Sequence, residues 1–204
     1  MSNFKAFFKE NSSLIAKFFI TQISINVFSL VIAIAMRMVV HSYDAPKTLL
    51  YVLSGLAGTF FFWFLIHDYF WQRGAKDHIM IEAGHLKRDV WKGLKVGAVA
   101  LLPTLVLTLV YVITYLIAVP TQSVVIGSIN AVVTLPLFYL FDGMYYSFFS
   151  LAEGSYALPF VVLGVSLLSL AFPTLAYYLG SHEKKLRSFV GLENVDLPEK
   201  KNQK

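Results

Sequence analysis

From residue 96 to residue 183 the chain carries no lysine or arginine, and Asp142 and Glu153 are the only acids before Glu183. A run that long with no base and long apolar blocks belongs in lipid. Two earlier apolar blocks, 18–36 and 48–66, are each close to the ~20 residues that a bilayer core demands of a helix. The expectation is an all-α, polytopic integral membrane protein of five to six hydrophobic segments. Of the 204 residues, 57% are hydrophobic and 14% charged, against about 25% charged in soluble domains. No room is left for a second, soluble domain.

The first block follows Lys5 and Lys9 as a secretory signal would. It outruns the roughly 7–15 residue core of such signals, and no small-x-small cleavage site follows it before Lys47, so it reads as a retained first helix. The absence of cysteine excludes disulfides, thiolate metal sites, cysteine nucleophiles and palmitoyl anchors. A formal charge of +5 does not point to nucleic acid, because the excess sits in short segments beside the apolar blocks, where membrane topology accounts for it.

All 17 bases fall into four groups: Lys5, Lys9 and Lys17; Arg37 and Lys47; six within 73–95; six within 184–204. The excess of bases on the cytoplasmic side places the N-terminus in the cytoplasm. The 39–46 turn is then external and the 68–95 loop cytoplasmic. A third helix over 96–119 runs outward to the turn Pro120-Thr121-Gln122-Ser123. Segments 124–157 and 158–179 complete the transmembrane domain of residues 1–183, and the charged tail 184–204 is expected in the cytoplasm. That location needs an even number of crossings. The 124–157 segment therefore crosses twice or enters and returns, with Pro136, Asp142-Gly143 and Glu153-Gly154 as break points. Irregular backbone at that depth needs protein or water around it. Five plain helices with an external tail are the alternative.

The 68–95 loop is the most patterned stretch. Residues 78–82 alternate like a short strand and Ala83-Gly84 can turn it. Leu86, Val90, Trp91 and Leu94 then share one side of a helix at about 100° per residue, with Arg88, Asp89, Lys92 and Lys95 opposite. The reading is an interfacial amphipathic helix, its bases toward anionic lipid, within a loop that anchors to lipid or docks a protein partner. The contact residues are Trp71, Gly74, Lys76, Asp77, Gly84, Arg88 and Trp91. The chain here resembles a group of small, uncharacterised bacterial multi-pass membrane proteins. The residues that carry the likeness are the aromatic exit Tyr69, Phe70 and Trp71, the element Gly74-Ala75-Lys76-Asp77, the Gly84 turn before Arg88, and Tyr177-Tyr178-Leu179-Gly180 ahead of Lys184, Lys185 and Arg187. That resemblance implies a multi-pass fold and supplies no activity; His85 stands where related loops carry arginine. Glu82-Ala83-Gly84 with Leu102-Pro103 also echoes the coupling loop of importer permeases, but Arg88 occupies the position that the loop glycine requires.

In the first helix Gln22, Asn26 and Ser29 project within about 60° of one another. Such residues either bond neighbouring helices or line a solute path. Asp142 and Glu153 either mark helix ends near water or share a polar cavity, as in proton-coupled carriers. Ser54-x-x-x-Gly58 and Gly127-x-x-x-Ala131 permit close helix approach. His67, Asp68, His78, Glu82 and His85 lack compact metal-ligand spacing, so no metal, cofactor or catalytic residue is assigned. The leading expectation is a non-catalytic assembly or accessory subunit that docks a membrane or cytoplasmic protein through residues 74–95, with membrane lipids around it. The alternative is a small transporter, channel or permease subunit with a polar path through Gln22, Asn26, Asp142 and Glu153.

Overall fold

A computed structural model describes residues 2–43 and 46–182, with side chains described over 4–39 and 46–182. The tail 184–204 lies outside the described residues. Seven α-helices follow in order: α1 (Ser2–Tyr43), α2 (Lys47–Glu82), α3 (Lys92–Ala100), α4 (Leu102–Thr121), α5 (Val124–Pro136), α6 (Tyr146–Ala152) and α7 (Leu158–Ser181). A π-helical turn, Leu137–Phe141, and a 3-10 turn, Gly143–Tyr145, lie between α5 and α6. Among the described residues five stretches are long and apolar enough to cross a membrane: Phe4–Val39, Lys47–Glu82, Leu102–Thr121, Val124–Phe141 and Leu158–Ser181.

The 42 residues of α1 reach about 63 Å at 1.5 Å per residue, twice a ~30 Å hydrocarbon core. Together with the 36-residue α2 it forms an antiparallel pair. Phe28 meets Phe61 at 6.0 Å and Phe18 meets Phe70 at 5.3 Å between ring centroids, while Arg73 reaches Glu10 at 3.7 Å. α7 runs parallel to α2: Phe62 meets Phe172 at 6.0 Å, and further along both helices Gly74 faces Tyr177 and Ser181. Glycine is required there. A Cβ on Gly74 would lie 2.8 Å from Ser181 N, and one on Gly180 would overlap the Trp71 carbonyl. The start of α1 and the end of α7 are consequently at the same end of the bundle.

α5 descends antiparallel to α4, with Asn130 Nδ2 donating to Tyr111 O at 3.0 Å and to Thr114 Oγ1 at 2.8 Å, and Tyr111 stacking obliquely on Phe138 at 5.2 Å. The chain then breaks at Asp142-Gly143. α6 climbs back beside the first half of α2, where Ser147 Oγ donates to Ser54 Oγ at 3.2 Å. At the top, Tyr115 OH donates to Ser155 O at 3.3 Å and Arg37 donates to Tyr146 OH at 2.9 Å. Residues 124–157 thus enter the bundle, turn at Asp142 and leave on the side they came from.

Two expectations for the 68–95 loop are overturned. Residues 78–82 are helical, not a strand, because α2 continues to Glu82 under i, i+4 pairs that a strand would separate: Arg73 to Asp77 at 3.3 Å and His78 to Glu82 at 3.3 Å. The loop shrinks to residues 83–91, turning at Gly84 with φ +74°, a conformation that glycine adopts without cost. Nor is there an amphipathic helix from Leu86. Helix α3 begins at Lys92 and buries Lys92, Gly93, Val96, Gly97 and Ala100. Trp91 N donates to Asp89 Oδ1 at 3.1 Å and Lys92 N to Asp89 O at 3.2 Å, which tightens the turn before α3. The third apolar segment is in turn divided at Leu101 into α3 and α4. Gly127, read as a packing residue, has no atom near the place its Cβ would occupy.

Candidate functional site

Two polar clusters lie inside the bundle. One is a charged clamp at the end where α1 begins. Asp77, 3% exposed, and Lys92, 6% exposed, meet at 2.9 Å. Lys92 also reaches Glu10 at 3.0 Å, Arg73 reaches Asp77 Oδ1 at 3.3 Å, and Tyr177 OH donates to Asp77 Oδ2 at 3.0 Å. Four helices, α1, α2, α3 and α7, are tied by two acids and two bases whose charges cancel. A cavity of about 210 Å³ opens beside them, lined by Asn11, Ile81, Leu86 and Asp89 among others.

This clamp redistributes the residues expected to form a docking loop. Gly74 and Asp77 are buried, Trp71 is half-buried along α2, and Lys76, Gly84 and Arg88 are exposed. Trp91 is 61% exposed and Ile79 likewise 61%. Glu10, Lys92 and Tyr177 were absent from that expectation. The sequence signal for Lys92 was misleading, since it sits opposite the apolar side of the predicted helix yet points into the bundle.

The second cluster surrounds the break. Breaking a helix at membrane depth frees backbone groups that lipid cannot satisfy. Asn26 Nδ2 donates to Leu140 O at 3.1 Å and to Phe141 O, while Asn26 Oδ1 accepts from Met144 N at 3.2 Å. Gln22 Nε2 donates to Phe141 O at 3.1 Å and to Thr104 Oγ1 at 3.0 Å. One turn of α1 therefore closes both freed ends. Gly143 lets the break approach, since a Cβ there would lie 2.8 Å from Asn26 O. Ser29, the third member of the stripe, is buried against Gly58.

Asp142 is 0% exposed, so it is no boundary residue. Ser166 Oγ donates to its Oδ2 at 3.2 Å, and Thr108 Oγ1 lies 2.8 Å from Ser166 Oγ. Ser166 Oγ also donates to Val162 O at 3.0 Å, so its single proton is shared between that carbonyl and the carboxylate. Asp142 Oδ1 and Gln22 Oε1, both fully buried, have no hydrogen-bond partner among the described residues. Ser166 stands on α7 about 16 Å, by helical rise, from Tyr177 in the clamp. Glu153 does not join this cluster, because it caps the end of α6 on an exposed turn with Gly154 at φ +77°. Thr104, Thr108 and Ser166 were not singled out in the sequence, where the only signal was the four-residue spacing of two threonines within an apolar helix.

Compared with protein-family models, with curated proteins and with solved structures, the chain has no match. The site's chemistry therefore rests on its own residues. Among the described residues no group of three or more His, Asp or Glu is placed to hold a metal ion. His67 packs its ring on Trp63 at 5.9 Å and His78 faces Glu82.

Proposed function

We propose that the protein is a small membrane transport protein, a channel or carrier, whose coupling group is Asp142 at the tip of the re-entrant segment. One observation carries this reading: a fully buried carboxylate sits at a helix break with one oxygen unpartnered and no base in its own segment or in α4 or α7. An uncompensated charge in such surroundings costs several kcal/mol, so the group holds a proton or attracts a cation. Broken helices at the bilayer midplane are where transporters place their ion and substrate sites. Gln22 and Asn26 serve this site by holding the break open; Glu153 has no part in it.

We propose further that the protein sits in a bacterial inner membrane, with the clamp end in the cytoplasm. Support comes from Lys5, Lys9 and Lys17 on α1, Arg73 and Lys76 on α2, Lys87 and Arg88 in the 83–91 loop and Lys92 and Lys95 on α3, all toward the clamp end. In vesicles with reconstituted protein, sodium or proton flux is expected for the natural chain and not for Asp142→Asn. Equal flux from the two proteins overturns the reading. Single cysteines at Ser42, Ala75 and Ser150 give the orientation: an impermeant thiol reagent on intact cells should label Ser42 and spare Ala75.

A second reading, an assembly subunit that docks an acidic partner protein, is favoured by exposed Trp91 and Ile79 beside Lys76, Lys87 and Arg88. Trp91→Ala with Lys87→Ala and Arg88→Ala should then release a co-purifying partner without changing insertion; unchanged co-purification removes it.

A further inference from the structure

We propose that the Asp142 break is a binding site for a monovalent alkali cation, with Asp142 Oδ1 and Gln22 Oε1 as its anchoring ligands. The inference rests on the transport reading and gives that site its ion class.

Two buried oxygens without partners are held by the same peptide link. Gln22 Nε2 donates to Phe141 O, the carbonyl immediately before Asp142, which fixes the amide group with its oxygen unused. Asp142 Oδ2 has Ser166 Oγ at 3.2 Å, a hydroxyl that it shares with Val162 O, and Oδ1 has no hydrogen-bond partner among the described residues. Both are acceptors, so what is missing is a positive centre or a donor. Hydroxyls from Thr104, Thr108 and Ser166 are buried in the same cluster at 1% exposure each, and each oxygen keeps a lone pair that can turn to a cation.

The donor set selects the ion. All candidate ligands are oxygens, which suit hard cations and not soft ones. A single carboxylate neutralises one positive charge; a divalent ion would leave a second charge buried and uncompensated. A proton needs only one acceptor, whereas five side-chain oxygens gathered in an apolar interior suit an ion with several ligands. The clamp cannot lend a base to replace the cation, because Lys92 and Arg73 are both engaged with Asp77 and Glu10.

The test is thermal unfolding of the purified full chain in detergent, with lithium, sodium or potassium chloride each replacing choline chloride at constant ionic strength. At least one of the three is expected to raise the midpoint saturably, since a ligand bound only to the native state stabilises it by mass action. Asp142→Asn should lose that rise, and Ser166→Ala should move its half-saturation upward by about tenfold, the loss of one ligand at ~1.4 kcal/mol. If Asp142→Asn does not fold, Ser166→Ala alone decides, and an unchanged half-saturation overturns the site. A rise that persists in Asp142→Asn also overturns it. So does a midpoint indifferent to all three cations but sensitive to pH through Asp142, which would identify a proton site and leave the transport reading intact. Saturable cation binding without flux in vesicles would have the opposite meaning: the site stands and transport falls.

Discussion

The Asp77–Lys92 pair at the centre of the clamp and the Asp142 break are both buried, both polar and both built from a carboxylate that ties helices together, yet they differ in charge balance. Asp77 and Glu10 face Lys92 and Arg73 within 3.7 Å or less, and Asp77 has a tyrosine hydroxyl besides. Asp142 has one serine hydroxyl and, among the described residues, no base in ion-pair contact. A compensated cluster of this kind holds helices in place. An uncompensated one is a cost that the fold keeps at a point where nothing structural demands a charge, because the backbone ends at the break are already closed by Gln22 and Asn26.

The largest effect that separates the two clusters is expected from Asp77→Asn. It leaves Lys92 and Arg73 sharing Glu10 alone, and breaking a buried pair from one side costs about 3–5 kcal/mol. A marked fall in the unfolding midpoint in detergent checks this, and an unchanged midpoint would show that the clamp is not structural. Next is Asn26→Leu, which strips partners from Leu140 O and Met144 N at roughly 1–3 kcal/mol for each orphaned group. Proteolysis within 137–145 should rise with it. Gly180→Ala follows at about 1–3 kcal/mol, since the added methyl meets the Trp71 backbone and must push α2 and α7 apart; the midpoint should fall with no change in cation response. Smallest is Asp142→Asn, expected to move stability in choline chloride by less than about 1 kcal/mol, because without a metal cation the buried carboxyl holds a proton and a neutral amide replaces a neutral acid. A loss as large as that of Asp77→Asn would erase the contrast between the clusters.

Much of the architecture was legible from the chain. The blocks at 18–36 and 48–66 fall within helices long and apolar enough to cross a membrane, the base-free run contains three more such stretches, and Gly84 turns where the sequence places a turn. Failures came where one pattern serves two structures. Alternation across five residues from His78 does not distinguish a strand from the end of a long helix, and i, i+4 ion pairs decide for the helix. The predicted helix from Leu86 treated Lys92 as a solvent residue, which is the ordinary fate of a lysine; only the distant Glu10 and Asp77 make its burial tolerable. At the break, Asp142-Gly143 was visible as a candidate, as were Gln22 and Asn26. That they meet was not visible, because the contact joins residues more than a hundred positions apart.

That separation sets an order on how the chain is made. When residues 137–145 emerge from the ribosome and are offered to the bilayer, their open carbonyls and amides have no partner within their own segment. They must find a face of α1 that was inserted long before. Removing or delaying α1 should therefore leave the break without its partners, so that α5 and α6 no longer insert as a re-entrant pair, while α7, which needs no cap from α1, inserts on its own.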